Sequence, residues 1–217
     1  MDSPLSMHTH VLNTPSSARM ADVLAAALAS AVDVAVSVAF VQMTGLHLLL
    51  PALASAQRRG VRIRVLTSTY LDVTEPQALY ALLEMQGISL RVQDGPVGFH
   101  TKAHLLVRRD DAVGWVGSSN WSRGGLRDHI EWNTRIETPA AFAEAWRHFD
   151  ALWQRSDVRA PDADFLAEYA ARWLATRLAL DAHTAETAAG REAAVDPPTP
   201  TPLQRDALQR LAAQREE

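Results

Sequence analysis

Phe99-His100-Thr101-Lys102-Ala103-His104 opens the stretch that decides the reading of this chain, and Gly117-Ser118-Ser119-Asn120-Trp121 and Glu131-Trp132-Asn133 complete it. Residues 99–108 and 112–116 read as two strands joined by the turn Arg109-Asp110-Asp111. Residues 129–137 read as a further strand after a glycine-containing loop. His100 and Lys102 stand two apart, so on a strand both side chains point to one face. A histidine nucleophile beside an ammonium is the chemistry of a phosphate site. The imidazole attacks phosphorus and the lysine neutralises the phosphoryl oxygens. Gly117 lets the backbone turn. Ser118 and Asn120 then supply neutral donors to further phosphoryl oxygens, with Ser119 as the alternative to Ser118. Glu131 is placed to accept a hydrogen bond from the far nitrogen of His100, fixing its tautomer and stabilising an imidazolium.

Upstream of that stretch the chain has a βαβαβ rhythm. Helices are expected at 16–31, 46–59 and 75–86, the second closed by Gly60 as a C-cap. Apolar, β-branched strands are expected at 33–41, 61–67 and 88–92. Downstream, residues 140–154 read as a helix with Phe142, Trp146, Phe149 and Trp153 near one face, and 163–182 as a second amphipathic helix. Residues 184–202 are rich in Ala, Thr and Pro and read as a linker. A last helix is expected at 204–215. Alternating strands and helices predict an α/β fold with a mixed, mostly parallel sheet and helices on both faces.

Composition limits the function classes. The chain has 217 residues, 47% of them hydrophobic and 21% charged, which suits a globular domain with an appendage. It contains no cysteine, which excludes a disulfide scaffold, Cys-ligated zinc and a thiol nucleophile. Residues 1–20 carry polar groups throughout and lack the apolar core of a signal peptide. The apolar stretches near 21–41 and 46–56 are broken by Asp22, Asp33, Gln42 and His47, so neither is a membrane span. A cytoplasmic location is expected. The net charge of −4 argues against a broad nonspecific nucleic-acid surface, though a local pocket for one or two phosphates fits it.

The pattern His-x-Lys followed by Gly-Ser-x-Asn resembles the HKD motif of the phospholipase D superfamily. Ala39-Phe40-Val41, Thr44-Gly45-Leu46 and Arg64-Val65-Leu66-Thr67 extend the likeness toward bacterial phospholipase D-like nuclease domains, over roughly residues 10–155. Such domains often precede a DEAD/DEAH-type helicase. The resemblance implies a phospholipase D-like α-β-α sandwich and a two-step, metal-free phosphodiesterase without cofactor. His100 forms a phosphohistidine intermediate, assisted by Lys102, Asn120 and Glu131, and Lys102, Ser118 and Asn120 hold the phosphate. The second histidine comes from a second copy, so a homodimer is implied, acting on nucleic acid, DNA before RNA. Val107 occupies the position of the motif's aspartate, a departure from the lipid-hydrolysing pattern, and Glu131 takes the remaining acid role. Pro200-Thr201-Pro202-Leu203-Gln204 resembles the segment ahead of a helicase nucleotide-binding loop.

The resulting organisation is a catalytic domain at 1–158, a helix and linker at 159–197, and the start of a helicase-like segment at 198–217. Two other functions stay open: a non-catalytic nucleic-acid-binding module serving a helicase, and a hydrolase of phospholipids or small phosphodiesters. For the remaining candidates the structural reading leads. His104 is read as a packed residue, Trp121 and Trp132 as packing around the site with base stacking as the alternative, and Trp146 and Trp153 as core. His8 and His10 are read as part of a mobile N-terminal segment. Arg58, Arg59, Arg62 and Arg64 are read as a solvated basic face, with guidance of a nucleic-acid backbone as the alternative.

Overall fold

The computed structural model describes residues 9–12, 18–95, 97–136 and 138–193. The chain divides into two compact units, residues 1–174 and 175–217. In the first unit the elements follow as β1 (Thr9–Leu12), α1 (Met20–Leu28), β2 (Ala31–Val38), α2 (Met43–Arg58), β3 (Arg62–Ser68), α3 (Pro76–Glu84), β4 (Ile88–Gln93), β5 (Lys102–Arg108), β6 (Ala112–Gly117), β7 (Glu131–Ile136), α4 (Pro139–Trp153), β8 (Val158–Arg159) and the start of α5 (Ala163–Ala193). A 3-10 turn at Tyr70–Asp72 and a π turn at Gly124–Asp128 interrupt the loops.

The strands of the described residues join one sheet in the order β1-β7-β6-β5-β2-β3-β4-β8. The α/β sandwich and the mixed sheet are as expected, but most of its joints are antiparallel rather than parallel. Only β2–β3 and β3–β4 pair in parallel. The other five joints are antiparallel. Helical crossovers force parallel pairing only where they occur, between β2, β3 and β4; the tight turn after β5 can only make an antiparallel pair. The N-terminal segment holds an element that its polar composition hides. Residues 9–12 pair with β7, which would otherwise be an open edge.

Alternation along the strands sorts side chains between two cores. On one face Val34, Val36, Ile63, Val65 and Leu106 pack against Leu24 of α1, Leu49 and Leu53 of α2, Leu79 and Leu82 of α3, and Phe165 and Tyr169 of α5. On the other, Ala35, Leu66 and Leu105 pack against Phe142, Phe149 and Trp153 of α4. Residues 163–174 thus belong to the first unit, past the expected limit at 158. Pro139 at the first helical position and a Thr138 Oγ1 that accepts from the Ala141 amide start α4. Helix α5 continues to Ala193, into the expected linker, because Ala, Glu and Arg over 185–193 favour helix. The linker beyond 193 and the helix expected at 204–215 lie outside the described residues.

The basic cluster comes apart on folding. Arg62 pairs with Asp33, and Arg59 donates to the Leu28 carbonyl at 2.5 Å. Arg64 turns under α4, bonding Asp150 at 2.6 Å with its guanidinium 4.9 Å from the Phe149 ring centre and 5.3 Å from that of Trp146. Arg62 and Arg64 share one face of β3, but each is tied to a different carboxylate, so they do not form a free basic face.

Candidate active site

The sequence motifs meet at a single edge of the sheet. The registers Lys102↔Val38, Ala103↔Val116, Gly117↔Asn133 and Ser37↔Leu66 put the start of β5, the ends of β2, β3 and β6, and the start of β7 side by side. Gly117 permits the tight approach there: a Cβ on it would lie 2.0 Å from the Trp132 carbonyl oxygen. Gly45 does the same for α2, where a Cβ would lie 2.3 Å from the Trp121 backbone carbon. A backbone pair fixes that junction, with Trp121 N donating to Phe40 O at 3.1 Å and Gln42 N to Trp121 O at 2.8 Å.

His100 does not lie on the strand with Lys102, because β5 starts at Lys102. Instead it stands exposed on the connection before β5. Its ring meets Phe40 edge-on, with centroids 5.7 Å apart. The Lys102 side chain is buried, and its Nζ donates to the His100 carbonyl at 3.0 Å. Burial pushes the Lys102 ammonium pKa down, while the negative charge of Glu131 pulls the other way. The Asn120 Oδ1 accepts from the Phe40 amide at 3.1 Å, which leaves the donor end of that side chain for a ligand. Phe40 therefore touches His100 and Asn120 and lies 5.9 Å from the Lys102 Nζ. Nothing in the sequence marked it with a role; a phenylalanine ending a buried strand reads as core.

Two expectations change. Glu131 does not bond His100: its carboxylate accepts from the Ser118 hydroxyl. The reason is spacing, because β6 lies between β7 and β5 and adds about 10 Å across two strand intervals. Ser118 is exposed, and its Oγ also accepts from the Trp132 amide at 3.1 Å. Ser119 is fully buried and accepts from Asn133 Nδ2 at 2.9 Å, so it is no alternative donor to a phosphate. Val107, at the motif's aspartate position, packs on the α4 side of the sheet.

His104 and Trp121 are a buried pair behind the site. Trp121 Nε1–H donates to His104 Nε2 at 3.1 Å, tying the Gly-Ser-Ser-Asn segment to β5. Aliphatic neighbours including Leu24, Leu49 and Leu53 surround the pair. Burial drives the His104 pKa down to about 3, so the ring is neutral. Trp132, by contrast, is 65% exposed. A depression of about 590 Å³ lined by Ala29, Val32, Arg59 and Arg109 sits at the opposite sheet edge, away from every motif residue. Among the described residues no group of three or more His, Asp or Glu is placed to hold a metal ion, and no helix is long and apolar enough to cross a membrane.

This sandwich, with the His-x-Lys and Gly-Ser-x-Asn segments at one sheet edge, defines a phospholipase D-like domain. Residues 24–153 match the family described as cardiolipin synthase, PLD-like domain, and the chain belongs to that family. Among solved structures it is similar to Nuc from Salmonella typhimurium, a phospholipase D family member, at 19% identity and a TM-score of 0.55, over 71% of this chain and 98% of that one. NucT from Helicobacter pylori matches at 14% identity and a TM-score of 0.50, over 61% and 86% of the two chains. Polyphosphate kinase from Porphyromonas gingivalis matches at 12% and 0.52, over 67% of this chain and 22% of that one. No curated protein matches the sequence.

Proposed function

We propose that this chain is a phosphodiesterase that cleaves nucleic acid, DNA before RNA, with His100 as nucleophile. The observation that carries the reading is the exposed His100 ring beside the buried Lys102, whose ammonium is fixed on the His100 carbonyl at 3.0 Å. Lys102 and the donor end of Asn120 face the same edge and would hold the phosphoryl oxygens, with Ser118 beside them. A neutral His100 nitrogen attacks phosphorus, and the bond from phosphorus to the leaving oxygen breaks. The leaving oxygen takes a proton from a second imidazole, and that imidazole then removes a proton from water as the water displaces His100. We assign the second imidazole to His100 of another copy in a homodimer. Glu131 acts on this chemistry through Ser118 and through its charge on Lys102, not by orienting His100. The structural relatives support a nuclease because Nuc and NucT share the fold, and the helicase-like resemblance near residues 200–204 supports action beside a helicase.

The test is cleavage of a labelled oligonucleotide in EDTA. Wild type should cut, and His100→Ala should lose about a thousandfold or more. Brief exposure followed by denaturation should leave acid-labile label on wild type alone. Activity that vanishes in EDTA and returns with Mg²⁺ would sink the mechanism.

A second reading keeps a specific observation. Among the described residues no carboxylate bonds His100, and Glu131 is engaged by Ser118. A module that binds nucleic acid without cutting it would need none. That reading expects saturable binding, no cleavage, and no change in binding on His100→Ala.

A further inference from the structure

Two exposed aromatic residues, Trp132 and Tyr70, lie at the sheet edge that carries the motif residues. Trp132 follows Glu131 on β7 and is 65% exposed. Its backbone is pinned, with Trp132 N donating to Ser118 Oγ at 3.1 Å and Ser118 N donating to Trp132 O at 3.0 Å. The ring is thus presented by a fixed strand beside a site residue. Tyr70 follows β3 and is 38% exposed. It lies against Gly98, two residues before His100, where an added Cβ would sit 3.4 Å from the Tyr70 Cζ.

The strands that carry or precede the two rings lie symmetrically about β5. In the sheet order β7-β6-β5-β2-β3, each ring's strand is two intervals from β5, in opposite directions. At about 4.8 Å per interval, each backbone lies about 10 Å to one side of the His100–Lys102 segment. All of these strand ends share one edge. A strand of nucleic acid laid along the edge carries a phosphate every 3.4 Å or so when stacked, so both rings fall within a few nucleotides of the bound phosphate.

The Tyr70 side is held under strain. Leu71 and Asp72 both adopt positive φ, 59° and 49°. Non-glycine residues persist there only when their surroundings hold them. Arg172 of α5 supplies the hold, bonding Asp72 at 3.0 Å and Asp94 at 3.3 Å, while Asp94 also accepts from Thr69. Tyr169 adds a bond to the Thr74 carbonyl at 2.5 Å. The loop that carries Tyr70 is therefore clamped at both ends, and its apolar tip, Leu71, is 65% exposed.

We propose that Trp132 and Tyr70 are base-stacking platforms on the two sides of the phosphate site, and that they set specificity for diesters bearing nucleobases. This rests on the nucleic-acid reading above and names the residues that would enforce it. A flat ring takes any base by its face, so the preference is for a base over none, with little discrimination among bases. Arg172 is a positioning residue for Tyr70.

The test separates base from phosphate. In the His100→Ala background, binding of a labelled thymidine oligonucleotide is compared with that of an abasic oligomer of equal length and charge. The parent should prefer the thymidine oligomer. Trp132→Ala and Tyr70→Ala should each weaken thymidine binding about fivefold or more and leave abasic binding within about twofold. Trp132→Phe and Tyr70→Phe should restore the preference, and Arg172→Met should repeat the Tyr70→Ala loss. Thermal melting confirms that each variant is folded. Equal binding of the two oligomers by the parent, binding of neither, or equal loss of both in the alanine variants would overturn the proposal. Cleavage by wild type is read separately, so a binding module with stacking rings is distinguishable from a nuclease without them.

Discussion

His104 shows what a single residue's burial does to pH dependence. Its ring accepts a hydrogen bond from Trp121 and is fully enclosed by aliphatic groups. The folded pKa falls to about 3, against about 6.5 in the unfolded chain. The depressed folded value means the unfolded state binds the proton first. The stability His104 contributes is therefore present above pH 6.5 and drains as pH falls toward 3. Between pH 6.5 and 5 the loss should be on the order of 2 kcal/mol. His104→Leu removes that dependence, at a cost of about 1–3 kcal/mol at pH 7 for leaving the Trp121 N–H without an acceptor. Urea unfolding at a series of pH values checks both statements; parallel curves for wild type and variant would refute the first. His100 behaves oppositely. It is exposed, so His100→Ala should change stability by less than about 0.5 kcal/mol while removing the proposed nucleophile.

At the scale of elements, the site depends on close backbone approaches that glycine permits. A Cβ at Gly117 would overlap the Trp132 carbonyl. Gly117→Ala should therefore push β6 from β7, displace Ser118 and Asn120, and cost about 3 kcal/mol or more. Thermal melting reads the stability, and phosphodiester binding reads the displacement. Helix α4 is held differently, by Arg64 against Phe149, Trp146 and Asp150. Arg64→Met should lose roughly 1–3 kcal/mol, since it removes ring contacts and strands the Asp150 partner. Here the sequence was legible in part. Helix-period and strand-period runs located most elements, and the His-x-Lys and Gly-Ser-x-Asn segments did fall at one edge. Pairing direction was legible where a helical crossover or the tight turn after β5 dictates it, but not for β2 with β5, which are distant in sequence and pair antiparallel. Arg64 read as solvated because its aromatic partners lie over eighty residues away. Glu131 read as His100's partner because the chain does not show that a whole strand separates them. Ser118 and Ser119 were indistinguishable in sequence, and only the turn after β6 decides which is buried.

For the whole molecule, charge pairing governs how nucleic acid can be held. The net charge is −4, and among the described residues several arginines outside the site are committed to carboxylates: Arg62 to Asp33, Arg108 to Asp111, Arg123 to Asp128, Arg155 to Asp157 and Arg172 to Asp72. Most of these pairs are exposed, so each stabilises the fold little, but each lowers the field available to a phosphate chain. Lys102 is the cation built into the site. Binding should therefore release few counterions. One copy would neutralise about one phosphate, and two facing copies about two. For single strands, log K then falls against log salt with a slope of about −0.7 for a monomeric site and about −1.4 for a dimeric one. Titrations of the His100→Ala protein over a range of salt concentrations, run beside sedimentation at the same protein concentrations, measure slope and assembly together. A slope near −1.4 that relaxes toward −0.7 on dilution below the dimer's dissociation constant ties the paired site to dimerisation. A slope several times steeper would instead show a broad basic track, which the charge pairing of this fold argues against, and would move the binding surface away from the edge where His100 stands.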